Sequence, residues 1–289
     1  MTSWTEFVIV TPSAELEQIE DALLAAGAVA VTLQDAEDQP VLEPLPGEYP
    51  VWDKVQAKGL FNRDQTPEEI LLALEASLPA DLLQKGQIEF LPEKNWVRSW
   101  MDHYEPMVFG ELCICPEGMQ APDVEHIVTL DPGLAFGTGT HPTTALCIQW
   151  IAESTCDFTS CLDFGCGSGI LALCAAKKGV QELVAVDIDP QAITATLENA
   201  RKNDVHIEAG MPDIVGERQF SLVMANILAG PLVELAPQIA SHTKESGEIV
   251  LSGLLEAQEK EVIQAYKPWF SNFVVAVEDG WLRISAKKL

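Results

Sequence analysis

LDFGCGSGILAL, Leu162–Leu173, and LVAVDIDP, Leu183–Pro190, decide the fold. A short apolar strand runs into Asp163. Gly165, Gly167 and Gly169 follow, then a helix of small and aliphatic residues. A second apolar strand ends in an acid, Asp187. This order describes a crevice at the carboxyl end of a parallel sheet, where the first turn lets a ligand touch bare backbone and the later acid holds a ribose diol. The strand–turn–helix–strand–Asp context weighs against a purely structural turn. The predicted class is α/β.

Spacing selects the ligand. A dinucleotide site reads Gly-x-Gly-x-x-Gly, with a helix amino terminus facing a pyrophosphate. Here the register is Gly-x-Gly-x-Gly, and Ile170 stands where the last glycine would be. No Lys-Ser or Lys-Thr follows, which excludes a Walker loop. What remains resembles motif I of the S-adenosylmethionine-dependent methyltransferases, with Asp163 in the acidic place. The implied cofactor has no phosphate; it carries an ammonium, a carboxylate, a sulfonium and a ribose. Asp163 is expected to meet the ammonium directly or through water, Gly165 and Gly167 to lie against the methionine part, and Asp187 to accept two ribose hydroxyls.

Upstream, LDPGLAFGTGTHPTTALCIQWI, Leu130–Ile151, is a flexible loop running into a helix, with Pro142 at the first helical position. Thr143 and Thr144 fall in the first turn, among free backbone donors suited to a carboxylate. Thr144 is the first choice for cofactor contact, and Phe136 for covering the reacting methyl. His141 is either a base or a cap.

Downstream, Asp189 caps a helix that begins at Pro190 and runs to Lys202. Val205–Ile214 reads as the third strand, with an adenine edge resting near residues 210–213 on no single assigned residue. Phe220–Leu232 reads as the fourth strand and its exit. It places Asn226 at the sheet edge, to orient an amine or to close a turn. A further strand, an amphipathic helix and a hairpin at Asp279-Gly280 finish the sheet.

The first 94 residues are organised differently. Thr5–Val10 alternates like a strand, Ser13–Gly27 reads as a helix opened by Ser13, and Ala28–Asp35 as a strand. A Pro-rich acidic loop follows. Then come a strand at Val51–Phe61, a helix at Thr66–Leu78 and a strand at Gln87–Glu93. The order β-α-β-β-α-β predicts a smaller α+β ferredoxin-like domain over residues 1–94, devoted to substrate docking. Trp96, Trp100 and Tyr104 mark a connecting helix over 95–106, and residues 107–289 form the larger domain. Val108–Glu117 and Val124–Gly133 look like two strands leading into it.

Composition narrows the class. At 289 residues and 47% hydrophobic, the chain can bury a sizeable core. No apolar run reaches the length of a membrane span, and the start lacks a signal-peptide pattern. Seven cysteines without a Cys-x-x-Cys pair, most within predicted strands or helices, read as small hydrophobes in a reducing cytoplasm, and no metal site is expected. The net charge of -27 repels phosphate backbones and favours a basic partner, so no direct grip on nucleic acid is expected.

Taken together, DPGLAFGTGTHPTT, DFGCGSGILAL, DIDPQAI and ANILAGPL resemble the ribosomal protein L-eleven methyltransferase family across essentially the whole chain. The resemblance implies a Rossmann-like class I methyltransferase domain behind a small domain that recognises the ribosomal protein. It maps cofactor contacts onto Thr144, Gly165, Asp187 and Asn226, with Asn226 and Phe136 at the chemistry. The implied reaction is methylation of lysine side-chain amines and the α-amine of the basic ribosomal protein, free or in the ribosome; the chain itself is expected to be a cytoplasmic monomer. Base methyltransferases place Pro-Pro-aromatic after their Asn or Asp to stack a flipped base. Here Ile227, Leu228 and Ala229 follow Asn226. A release-factor glutamine or a nucleic-acid base as acceptor, and a non-catalytic cofactor-binding scaffold, are the rival readings.

Overall fold

A computed structural model describes residues 4–37, 52–62, 64–91, 105–130 and 139–289. The chain divides into two compact units, Met1–Trp100 and Met101–Leu289. The expected connector over 95–106 lies outside the described residues except for Glu105 and Pro106, and Phe136 lies outside them too.

In the smaller unit, β1 (Trp4–Pro12), α1 (Leu16–Ala25), β2 (Ala30–Asp35), β3 (Lys54–Phe61), α2 (Pro67–Glu75), α3 (Ala80–Leu83) and β4 (Gln87–Leu91) follow in order. The strands form an antiparallel sheet ordered β2-β3-β1-β4, the ferredoxin-like arrangement. Phe7, Ile9, Leu23, Phe61, Ile70 and Leu74 fill its core. Thr66 opens α2 with a reciprocal cap: Glu69 N donates to Thr66 Oγ1, and Thr66 N donates to the Glu69 carboxylate. Ser13 does not cap α1 as expected. Its N–H donates to Asp53 O, and a 3₁₀ turn over Ser13–Glu15 precedes the helix.

The larger unit opens with β5 (Met107–Phe109), β6 (Leu112–Pro116) and β7 (His126–Leu130), a three-stranded sheet of its own. Two strands were expected here. The Gly110–Glu111 turn folds the first of them into a hairpin. The main elements follow: α4 (Pro142–Glu153), β8 (Ser160–Phe164), α5 (Ile170–Lys177), β9 (Glu182–Val186), α6 (Pro190–Lys202), β10 (Glu208–Gly210), β11 (Phe220–Asn226), α7 (Ala229–Glu234), α8 (Ala236–Ser241), β12 (Thr243–Leu255), α9 (Glu259–Tyr266), β13 (Phe270–Glu278) and β14 (Trp281–Lys288). The third strand is shorter than Val205–Ile214, because a 3₁₀ turn opens at Pro212.

Seven strands form one sheet, ordered β10-β9-β8-β11-β12-β14-β13. The first five run parallel, and β14 is antiparallel to both its neighbours. Central β8 is buried on both faces, as a covered parallel strand must be. One face packs Ile148, Leu171, Leu173 and Leu222, joined by Leu112, Ile114 and Val128 of the small sheet. The other packs Phe220, Leu232, Val262, Tyr266 and Ile284. Asn203, just beyond α6, substitutes for a missing neighbour of β7. Thr129 N donates to Asn203 Oδ1 at 2.7 Å, and Asn203 Nδ2 donates to Thr129 O at 2.6 Å. Asp189 caps α6 as expected, with Oδ1 accepting from Gln191 N at 2.8 Å. Among the described residues, no helix is long and apolar enough to cross a membrane.

Candidate active site

Strand order reverses between β8 and β11, which makes a crevice at their carboxyl ends. The glycine loop leaves β8 there and is fastened from several sides. Gly165 N and Cys166 N both donate to Val186 O, at 2.8 and 3.0 Å, folding the loop over the end of β9. Gly167 N donates to Asp187 Oδ2 at 3.0 Å, while Asp187 Oδ1 accepts from Asp189 N at 3.0 Å. From α6, Thr196 Oγ1 donates to Gly167 O and Asn199 Nδ2 donates to Ser168 O, each at 3.0 Å.

Asp163 sits beneath this loop, only 1% exposed. Its Oδ2 accepts from Ala172 N at 3.1 Å in the first turn of α5, and its Oδ1 is buried without a hydrogen-bond partner. Burial pushes the carboxyl up to about 7; the Ala172 bond opposes the rise, and the nearby Asp187 adds to it. A buried acceptor with a free oxygen, next to a second carboxylate, is a place for a cation.

The β11 side carries Asn226. Its Nδ2 donates to Thr144 Oγ1 at 3.1 Å, joining two residues that the sequence singled out separately. Thr144 is buried in the first turn of α4. His141 is the cap of that helix. Its Nδ1 accepts from Thr143 N at 3.3 Å and lies 2.8 Å from Thr143 Oγ1, and its ring meets Trp281 edge-on at 4.7 Å. Behind Asn226, its sheet neighbour Ser252 is fully buried and donates towards Thr143 O (3.1 Å) and Leu282 O (3.0 Å).

The crevice therefore gathers Thr144, Asp163, Gly165, Gly167, Asp187 and Asn226 from β8, β9, β11 and α4. Sequence reasoning missed Thr196 and Asn199, two polar residues three apart on α6, and Ser252, which with Gly253 interrupts an apolar strand. It also missed Ile188, 80% exposed directly after Asp187; Met211, 44% exposed after β10, falls within the 210–213 stretch where an adenine edge was expected. Ile188 and Met211 thus stand open to water just past the carboxyl ends of two adjacent strands.

A family model described as ribosomal protein L11 methyltransferase (PrmA) matches residues 3–289. The chain is 45% identical over 292 residues to the ribosomal protein L11 methyltransferase of Cellvibrio japonicus, across 99% of this chain and 98% of that one. It is 45% identical over 293 residues to the protein of the same name from Escherichia fergusonii, across 99% of each. It is also similar to the solved structure of ribosomal protein L11 methylase from Lactobacillus delbrueckii subsp. bulgaricus. That match has a TM-score of 0.59 and 33% identity, and covers 64% of this chain and 99% of the other. With the motifs, the sheet order and a match over nearly its full length in agreement, the chain belongs to the ribosomal protein L11 methyltransferase family.

Proposed function

We propose that this chain transfers methyl groups from S-adenosylmethionine to lysine side-chain amines and the α-amine of ribosomal protein L11. The observation that carries the reading is the adjacency of β8 and β11, with Met224 opposite Asp163, so that Asp163 and Asn226 reach one crevice. The residues present fit the cofactor. The partnerless Asp163 Oδ1 suits its ammonium, whose charge offsets the desolvation of the carboxyl. Asp187 already accepts two backbone bonds, but a carboxylate has about four acceptor sites, which leaves two for ribose hydroxyls. Ile188 and Met211 offer apolar faces to a planar base. Thr144 and the amino end of α4 suit the carboxylate. When bound, S-adenosylmethionine supplies a methyl group on a positively charged sulfur.

The acceptor side is set by the chain's own residues. Asn226 commits its Nδ2 to Thr144, leaving Oδ1 to accept an N–H of the incoming amine and aim its lone pair. That lone pair must be free. A lysine with pKa ~10.4 is roughly 4–5 kcal/mol from its neutral form at pH 7, and an α-amine of pKa about 8 is much closer. The apolar side chains of Ile227 and Leu228 disfavour the ammonium by desolvation, and its proton leaves to water before attack. Alignment and desolvation then suffice, with no protein nucleophile. Docking of the ribosomal protein falls to the smaller unit, where exposed Glu17 and Asp21 on α1 suit a basic partner. Such a substrate, together with seven free thiols, fits work in the cytoplasm.

The test is incubation of the purified chain with methyl-labelled cofactor and L11, release factor or ribosomal RNA in separate reactions. Label is expected in L11 alone, recovered after hydrolysis as methylated lysine and methylated amino-terminal residue. Label in RNA or in glutamine supports a rival acceptor, and no transfer to any of them overturns the proposal.

A further inference from the structure

Ile227 follows Asn226 at the exit of β11 and is held at two places. A Cβ on Gly165 would lie 2.3 Å from Ile227 Cγ2, so that methyl fills the space of the side chain Gly165 lacks. A Cβ on Gly253 would lie 2.3 Å from Ile227 O and 2.7 Å from its carbonyl carbon, so the backbone of Ile227 rests directly on Gly253. Both glycines are left-handed, with φ of +78° and +88°. Neither site admits a side chain unless Ile227 moves. Gly165 belongs to the cofactor loop. Gly253 belongs to β12, where the ladder to β14 shifts register between Leu251 and Leu254.

We infer that Ile227 is a positioning residue for methyl transfer: its branched side chain braces the glycine loop while its backbone, seated on Gly253, fixes Asn226. The separation of donor and acceptor is thereby set through one residue. The inference rests on reading this edge as a methyl-transfer site. Its physical basis is the β-branch, which leaves χ1 little freedom and carries the Cγ2 that meets Gly165. Valine keeps both γ-carbons and loses only the terminal methyl. Leucine keeps every carbon but moves the branch from Cβ to Cγ. At a residue that only fills apolar space the two replacements cost about the same, whereas a brace prefers Val to Leu.

The experiment compares the full chain with Ile227→Val and Ile227→Leu. Turnover, affinity for S-adenosylhomocysteine by calorimetry, and the NMR signal of the Asn226 side-chain amide are measured on each. The expected order of kcat is parent, then Val, then Leu, with Leu at least about tenfold below Val, because small misplacements near reacting atoms cost up to about 10²-fold. Product affinity is expected to change less than about threefold in both. The Asn226 amide, bonded to Thr144, shifts and broadens in the Leu variant and keeps its position in the Val variant. Leu matching or exceeding Val, or an Asn226 amide indifferent to Leu, overturns the inference. If the parent binds product and the Leu variant shows the expected amide response, but the parent transfers no methyl, the functional reading is refuted while the brace stands.

Discussion

The two sides of the crevice are held by different forces. On the β8–β9 side the glycine loop is fastened by hydrogen bonds, from Gly167 N to Asp187, from Thr196 to Gly167 O and from Asn199 to Ser168 O. On the β11–β12 side, close contact does most of the holding. Ile227 is wedged against Gly165 and Gly253, and Asn226 contributes one side-chain bond, to Thr144. The difference matches the demands of the proposed reaction. A cofactor with many polar groups needs a loop whose own polar groups are already aimed, and an uncharged amine needs an apolar wall with one acceptor. Losing a hydrogen-bonding group should therefore act mainly on cofactor affinity on the first side, and mainly on turnover on the second.

The largest effect is expected from Asn226→Ala. Removing the acceptor proposed to aim the amine should lower kcat by about 10²–10³-fold, the cost typical of deleting one preorganised polar group at a reacting centre. Affinity for S-adenosylhomocysteine should stay within about threefold, since the loop bonds remain. Parallel calorimetry and single-turnover assays check this. Equal losses in both would erase the distinction between the two sides.

Asp163→Asn comes next and sharpens the comparison through pH. Burial raises the Asp163 carboxyl from 3.8 to about 7, so the folded chain holds this proton more tightly than the unfolded chain. The resulting stability is fully present below pH about 4, is lost as pH rises towards 7, and is absent above it. The Asn variant lacks that slope and, without ligand, should melt above the parent at pH 8. It should nonetheless bind S-adenosylhomocysteine at least about tenfold more weakly, having lost the charge proposed to meet the ammonium. In the parent, affinity should rise about tenfold between pH 6 and pH 8 as the carboxylate forms. Titrations across that range decide the matter, and a flat profile argues against an ammonium at Asp163.

What the sequence disclosed tracks how local each feature is. The glycine spacing, Asp187 after its strand, the Asp189-Pro190 helix start and Asn226 at a strand exit are each set by a few consecutive residues, and each occupies its expected place. The contacts that tie the site and its surroundings together join distant segments. Thr196 reaches Gly167, Asn203 pairs with Thr129, and Gly253 meets Ile227. No periodicity encodes such pairs. His141 lay between these cases: its position before Pro142 allowed a cap or a base, and its bonds to Thr143 with Trp281 against the ring make it a cap. Small slips arose where one local signal overrode another, as when Pro212 cut short the strand predicted to Ile214.

The smallest effect tests the bonded side alone. Thr196 is fully buried, donates to Gly167 O at 3.0 Å, and has its side chain within about 3 Å of where a Cβ on Gly169 would stand. Thr196→Val keeps the shape and removes the hydroxyl, leaving a buried carbonyl short of a donor at a cost of about 1–3 kcal/mol. The loop then loses one of its fixed points while the wedge at Ile227 is untouched. Affinity for S-adenosylhomocysteine should fall about fivefold, and kcat at saturating cofactor should change by less than about twofold. Thr196→Ser restores the donor and should recover most of the affinity despite the missing methyl. If Val lowers turnover and spares affinity, the glycine loop is positioned for the acceptor as much as for the cofactor, and the two sides of the crevice act as one rigid piece.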